Sequence, residues 1–118
     1  GRPDACALIY PAVSRVPPCH QGSSDAFLGA DAPRDIRERY SLQTRVTSEA
    51  PPPFIVHAQD DATVPLAGAM ELSSALRKAG VDVASHVFPR GGHGFGLALD
   101  RDDLGLWPRL LLAWLDGL

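Results

Sequence analysis

The 118-residue sequence lacks the features that mark several large classes of protein. Its two cysteines, Cys6 and Cys19, are too few for a disulfide-dense scaffold, so we expect two free thiols. No apolar run approaches the roughly 20 residues of a membrane-spanning helix. A formal net charge of −3 gives no reason to expect nucleic acid or an anionic membrane as a partner.

Signatures of cofactor and metal binding are also absent. No P-loop and no G-x-G-x-x-G motif follows a strand, which leaves nucleotide and redox functions without support. The sequence contains four histidines, which are His20, His57, His86 and His93. They lie far apart and none has a partner at helical i, i+4 spacing, so we expect no metal site and no cofactor.

The composition that remains is that of an ordinary globular domain. Hydrophobic residues make up 45% of the chain and charged residues 21%. A chain of this length can bury about two-thirds of its unfolded surface, so a real core is expected. We interpret residues 1–118 as one domain or a large part of one. Neither a cytoplasmic nor a secreted location is indicated.

Strands and helices alternate along the predicted chain. Continuous apolar runs predict buried strands at Ala5–Tyr10 and Phe54–Ala58, and alternation predicts a third strand at Val81–Phe88. Apolar stripes predict helices at Leu66–Ala79 and Trp107–Leu118. This order predicts an α/β fold, with a three-stranded parallel sheet and flanking helices.

The segment between the first two strands gives weaker signals. We expect a loop over Ser14–Asp31, because Pro17-Pro18 breaks regular structure and Gly22-Ser23-Ser24-Asp25 favours a turn. Asp31 is a candidate N-cap for a short charged helix through Arg39, with most of its surface in solvent.

One histidine stands among four glycines, in the sequence GGHGFG at residues 91–96. Glycine allows positive φ and close backbone approach, so the imidazole of His93 can project freely from such a loop. Its ordinary pKa near 6.5 suits proton transfer at working pH. A flexible surface turn that happens to contain histidine is the alternative interpretation.

Two adjacent carboxylates, Asp60 and Asp61, follow the predicted strand Phe54–Ala58. Open α/β sheets build their sites just beyond the carboxyl ends of the strands. Acid before histidine is also the chain order of the α/β-hydrolase triad, in which the serine comes first.

Together these residues resemble the α/β-hydrolase family, within it the acetyl-xylan-esterase-like and lipase/esterase branch. The more specific matches are D-D-x-x-V-P at residues 60–65 and G-G-H-G-F-G at residues 91–96. The other matching segments are RPDACALIYPAVS, HQGSSDAFLG, PPPFIVHAQDDATVP, ALRKAGVDVASHVF and WPRLLLAWL. The resemblance therefore extends over nearly the whole chain.

The resemblance implies a role for each of two residues. By the family's pattern the aspartate directly before x-x-V-P, which is Asp61, is the acid, and His93 is the general base. Asp60 is the neighbour most easily confused with the acid. The implied partner is a small-molecule ester, including the possibility of an acetylated carbohydrate.

Two parts of the family's pattern are missing. Neither the G-x-S-x-G nucleophile elbow nor an HGGG-type oxyanion loop occurs. The chain begins, with glycine and not methionine, at what resembles the strand after the nucleophile helix. We therefore expect the C-terminal half of an α/β-hydrolase domain, without the half that bears the nucleophile.

A nucleophile within the chain has one candidate. Ser24 lies in a partial elbow, Gly22-Ser23-Ser24-Asp25-Ala26. We favour a turn or N-cap role for Ser23 and Ser24, because Pro17-Pro18 breaks the strand that an elbow needs before its serine. We interpret His57 and His86, each within a predicted strand, as structural.

Two classes of function remain open. In the first, the chain is the acid- and base-bearing half of a serine carboxylic-ester hydrolase and is inactive alone. In the second, it is a non-catalytic hydrolase-like module that binds a partner or itself. The strand Ala5–Tyr10 is apolar and contains no charged residue or proline that would protect an exposed sheet edge. Together with the apolar stripe of Trp107–Leu118, it predicts a homodimer.

Overall fold

Three parallel strands form one sheet in the order β1-β2-β3. The computed structural model describes all residues, 1–118. The elements in chain order are β1 (Cys6–Ile9), α1 (Gln21–Leu28), α2 (Arg34–Arg39), a 3₁₀ turn (Leu42–Thr44), β2 (Pro53–Ala58), α3 (Leu66–Lys78), β3 (Ala84–Phe88), a second 3₁₀ turn (Leu104–Leu106) and α4 (Trp107–Asp116). The predicted three-stranded parallel sheet with flanking helices is confirmed.

The central strand β2 is buried along its whole length, and its side chains alternate between two cores. Ile55 packs on one face of the sheet with Leu72 and Leu76, which lie on one stripe of α3. Phe54 packs on the opposite face against α4 and the segment before it. Because both faces are covered, the sequence of β2, which is apolar except at His57, is the pattern expected of a central parallel strand.

The predicted loop over Ser14–Asp31 is wrong in part, because it contains the helix α1. The expected N-cap is also wrong, since Pro33 and not Asp31 occupies that position of α2. Arg37 explains the difference. Its guanidinium donates to the carbonyls of the α1–α2 connection, at Gly29 O (3.0 Å), Ala30 O (3.1 Å) and Ala32 O (3.0 Å). The Arg37 side chain is buried. Most of the surface of α2 lies in solvent, as predicted, because Arg34, Asp35, Glu38 and Arg39 are exposed.

The apolar stripe of α4 is covered at its beginning and open at its end. Trp107 is buried, and Leu110 and Trp114 are partly buried against the sheet. Leu115 and Leu118 are 45% and 64% exposed, so the last turn of the predicted stripe is only partly covered. Strand β1 pairs with β2 alone, which leaves its other edge unpaired. None of the helices combines the length and apolarity required to cross a membrane.

Candidate active site

The site lies where β2 and β3 end, because the carboxyl ends of adjacent parallel strands meet at one edge of the sheet. Asp61 follows β2 and His93 follows β3. Their side chains meet at this edge, with His93 Nδ1 2.8 Å from Asp61 Oδ2. The parallel topology therefore brings close together two residues that are 32 positions apart in the sequence.

The Asp61 carboxylate is enclosed, with no exposed side-chain surface. Its Oδ1 accepts hydrogen bonds from the amides of Thr63 (2.9 Å) and Val64 (2.8 Å), and its Oδ2 accepts from His93. Burial raises the pKa of this carboxyl. The hydrogen bonds from Val64, His93 and Thr63 outweigh burial and hold the pKa below its usual range. Asp61 is thus an ionised, acceptor-only group at working pH.

An ionised carboxylate can only accept, so His93 carries a proton on Nδ1 and donates it to Asp61. In the neutral ring the other nitrogen, Nε2, is then a bare acceptor. No group of the chain hydrogen bonds to Nε2, and the side chain is 31% exposed. The arrangement leaves an imidazole that is fixed in one tautomer, with Nε2 open to a bound molecule.

A second carboxylate holds the loop and not the ring. Oδ1 of Asp60 accepts hydrogen bonds from the amides of Gly91 (2.9 Å) and Gly92 (2.8 Å). In the sequence, only the family resemblance distinguishes Asp61 from Asp60. In the structure, the two aspartates make different contacts. Asp61 contacts the imidazole, and Asp60 contacts the backbone just before it.

Tyr10 is a contact of His93 that was not predicted. Its ring meets the imidazole edge-to-face, with 4.6 Å between the centroids, and meets Phe95 at 4.9 Å. Its φ of 40° is unusual for a residue other than glycine. Tyr10 directly follows β1, so the rule that points to the ends of β2 and β3 could also have pointed here.

Two other histidines were interpreted as structural, and both have structural contacts. His57 has no exposed surface, and its Nε2 donates to the carbonyl of Val64 at 2.9 Å. The same nitrogen lies 3.2 Å from Asp61 Oδ2, which the sequence does not predict. His86 packs on the ring of Phe54, with 5.1 Å between the centroids.

The structure contradicts the hypothesis that Ser24 is a nucleophile. Ser24 lies inside α1 and has no exposed surface, so its hydroxyl cannot reach a bound ester. Its Oγ donates to the carbonyl of Arg15 at 3.0 Å and accepts from Arg37 Nη1 at 2.7 Å. The predicted turn or N-cap role is also wrong, because the residue is helical. Ser24 instead forms part of the buried contacts that join α1 to α2.

No group of three or more His, Cys, Asp or Glu side chains converges to hold a metal ion. Cys6 and Cys19 are free thiols, as predicted. Burial raises the pKa of both thiols, which disfavours the reactive thiolate.

Residues 25–117 match the model of the prolyl oligopeptidase family. The chain belongs to this family. It is 36% identical to an acetylxylan esterase of Xylanibacter ruminicola, over 95% of this chain and 26% of the esterase. It is 35% identical to endo-1,4-beta-xylanase B of Butyrivibrio fibrisolvens, over 86% of this chain and 16% of the xylanase.

A solved structure gives the same result for the fold. The acetyl ester-xyloside bifunctional hydrolase from Caldicellulosiruptor lactoaceticus superposes with a TM-score of 0.94 at 36% identity, over 98% of this chain and 43% of that hydrolase. The predicted resemblance to α/β-hydrolases of the acetyl-xylan-esterase-like branch is confirmed. This chain spans less than half the length of each of these relatives.

Proposed function

We propose that this chain carries two members of the catalytic triad of a serine-type carboxylic-ester hydrolase. They are the triad carboxylate, Asp61, and the general base, His93. The observation that carries the proposal is the 2.8 Å hydrogen bond between His93 Nδ1 and the enclosed carboxylate of Asp61. It fixes the tautomer in which Nε2 is free to take a proton, which is what a serine hydrolase requires of its base.

The nucleophilic serine and the oxyanion donors are proposed to lie outside these 118 residues, in a longer polypeptide. Two facts support this: the chain matches only 43% of the Caldicellulosiruptor hydrolase, and its one candidate serine is buried in α1. In the proposed reaction, His93 Nε2 takes the serine proton as the serine oxygen attacks the ester carbonyl. The alcohol leaves with that proton. Nε2 then takes a proton from the water that attacks the acyl-enzyme, and returns it to the serine oxygen as the carboxylic acid is released.

Asp61 does not exchange protons in this scheme. Its negative charge stabilises the imidazolium that forms each time His93 holds the extra proton. The proposed substrate class is an acetylated carbohydrate, supported by the similarity to an acetylxylan esterase and to a xylanase. The leaving group would then be a sugar hydroxyl and the released acid would be acetate.

The chain alone tests the placement of the nucleophile. We expect no hydrolysis of short-chain aryl esters above background and no covalent labelling by a fluorophosphonate probe. Loss of each oxyanion donor alone removes about 3 to 4 kcal/mol of transition-state stabilisation. An ester hydrolysis rate that disappears in His93→Ala, or labelling of one serine, would place the nucleophile within this chain.

A second candidate function, self-association, is favoured by a separate observation. One edge of β1 is unpaired. An apolar groove of about 250 Å³ lies between β1 and α3, and its lining includes Cys6, Leu8, Leu42, Val46, Leu72 and Leu76. The partly covered last turn of α4 adds further exposed apolar surface. Free strand edges and apolar patches are pairing surfaces. We expect a two-fold dimer of the isolated chain, measured by size-exclusion chromatography with light scattering; a monomer of the 12.6 kDa chain mass at high micromolar concentration would contradict it.

A further inference from the structure

The carboxylate of Asp60 has no part in the reaction proposed above, yet it makes two of the best hydrogen bonds at the site. Both are accepted by Oδ1, from the amides of Gly91 and Gly92 at 2.9 and 2.8 Å. These amides stand directly before His93. Asp60 is therefore bound to the backbone of the loop that carries the proposed base.

Besides the contacts of the His93 ring with Asp61 and Tyr10, the backbone of this loop makes few hydrogen bonds. No backbone–backbone hydrogen bond involves residues 89–94, and the carbonyl of Arg90 receives only a long contact of 3.4 Å from Arg101. The loop also follows a demanding path. Gly92 has a φ of +64°, and a Cβ at Gly91 would lie 2.7 Å from Leu104 Cδ2. A backbone without regular structure needs other acceptors for its amide groups.

We propose that Asp60 is a positioning residue, which holds the Gly91–Gly92 backbone so that the His93 ring stays within hydrogen-bond reach of Asp61. The proposal rests on the function proposed above, in which that ring is the base. Asp60 binds the backbone of the loop, while Asp61 binds the imidazole ring itself. The two adjacent carboxylates thus position one imidazole through different contacts. A base displaced by about 1 Å can lose on the order of a hundredfold in rate.

The charge of Asp60 suits this role, because amide donors bind a carboxylate more strongly than a neutral acceptor. The hydrogen bond from Gly92 is the main cause that lowers the pKa of the Asp60 carboxyl, with a smaller contribution from Gly91, against an opposing effect of desolvation. The carboxylate therefore remains an acceptor below the ordinary titration range of aspartate.

The test is nuclear magnetic resonance on the ¹⁵N-labelled 118-residue chain, which requires no catalytic activity. In the wild type we expect a downfield Nδ1–H proton from His93, as its hydrogen bond to Asp61 requires. In Asp60→Ala we expect that signal to be lost, and amide exchange at Gly91 and Gly92 to accelerate about tenfold or more. Asp60→Asn keeps a side-chain carbonyl oxygen and should retain the signal.

Two further variants serve as control and second test. Asp82→Ala removes an exposed carboxylate that makes no side-chain hydrogen bond, and it should change neither measurement. If Asp60→Ala does not fold, Asp60→Ser replaces it, since its shorter side chain cannot span to both amides; loss of the signal is again expected. A signal unchanged in the folded Asp60→Ala or Asp60→Ser variant would overturn the positioning role alone. Absence of the signal from the wild type would overturn the acid–base pair and the positioning role with it.

Discussion

The substitution Arg37→Met tests the buried contacts that organise the chain between β1 and β2. The guanidinium is 10% exposed and donates five hydrogen bonds, of which three go to the backbone carbonyls of the α1–α2 connection. The other two reach Ser24 Oγ at 2.7 Å and Asp25 Oδ1 at 2.9 Å. Methionine has a similar length and helix propensity, so the substitution removes the charge and its donors while it preserves α2.

The magnitude depends on which acceptors water can reach after the substitution. Gly29 and Ala30 lie at the surface, so their carbonyls can be hydrated, whereas Ser24 has no exposed surface. Arg37→Met leaves Ser24 Oγ without its donor and removes a buried charged group. Together these losses are expected to lower the free energy of unfolding by about 2 to 4 kcal/mol. Arg34→Met is the matched control on the same helix. Its ion pair with Glu38 is exposed on both sides, so its loss should cost less than about 1 kcal/mol.

Urea unfolding followed by circular dichroism measures both variants against the wild type. We expect a lower midpoint for Arg37→Met with an unchanged slope, and a midpoint near the wild type for Arg34→Met. If the two variants lie within about 0.5 kcal/mol of each other, the reasoning that Arg37 joins α1 to α2 through buried acceptors is refuted.

Three further predictions concern the site and the apolar surface. The pKa of Asp61 is lower in the folded chain than in the unfolded one, so its contribution to stability is complete above about pH 4 and is lost as pH falls through the folded pKa. Asp61→Asn should therefore flatten the acid limb of a plot of unfolding free energy against pH. An unchanged acid limb would contradict this prediction. Gly91→Ala should destabilise the chain by about 1 to 3 kcal/mol in the same urea titration, since its Cβ would lie 2.7 Å from Leu104 Cδ2. Gly22→Ala in α1 is the control: its Cβ would meet nothing closer than 3.7 Å, so the substitution should be neutral or stabilising. Leu115→Glu should shift the isolated chain from dimer to monomer in light scattering, and a dimer that survives it would exclude the last turn of α4 from the interface.

The sheet and the contact between Asp61 and His93 could be predicted because simple patterns specify them. Apart from His57, β2 is apolar because both faces are covered, and this pattern places Asp61 just beyond the end of a central strand. The end of the neighbouring strand then leads to His93. Because β2 and β3 are parallel, their carboxyl ends lie at one edge of the sheet, which places Asp61 and His93 near each other.

Contacts made by single polar side chains could not be predicted in this way. The composition of Gly22-Ser23-Ser24-Asp25 favours a turn and does not predict α1. The contacts of Ser24 and Asp25 with Arg37, which is more distant in the sequence, leave no local signal. The separate roles of Asp60 and Asp61 also leave no trace in periodicity. They differ only in which partner each carboxylate reaches after the chain has folded.

The most direct measurement places this chain in a complete hydrolase. The 118 residues would replace the matching 43% of the Caldicellulosiruptor lactoaceticus hydrolase, and the rate of aryl acetate hydrolysis would be compared for His93→Ala and His86→Ala. His86 contacts Phe54 in the core and serves as the matched control. We expect an active chimera that loses about 10⁴-fold or more of its kcat in His93→Ala and keeps most of it in His86→Ala. A folded His93→Ala chimera that hydrolyses the ester at the parent rate would contradict the assignment of His93 as the base.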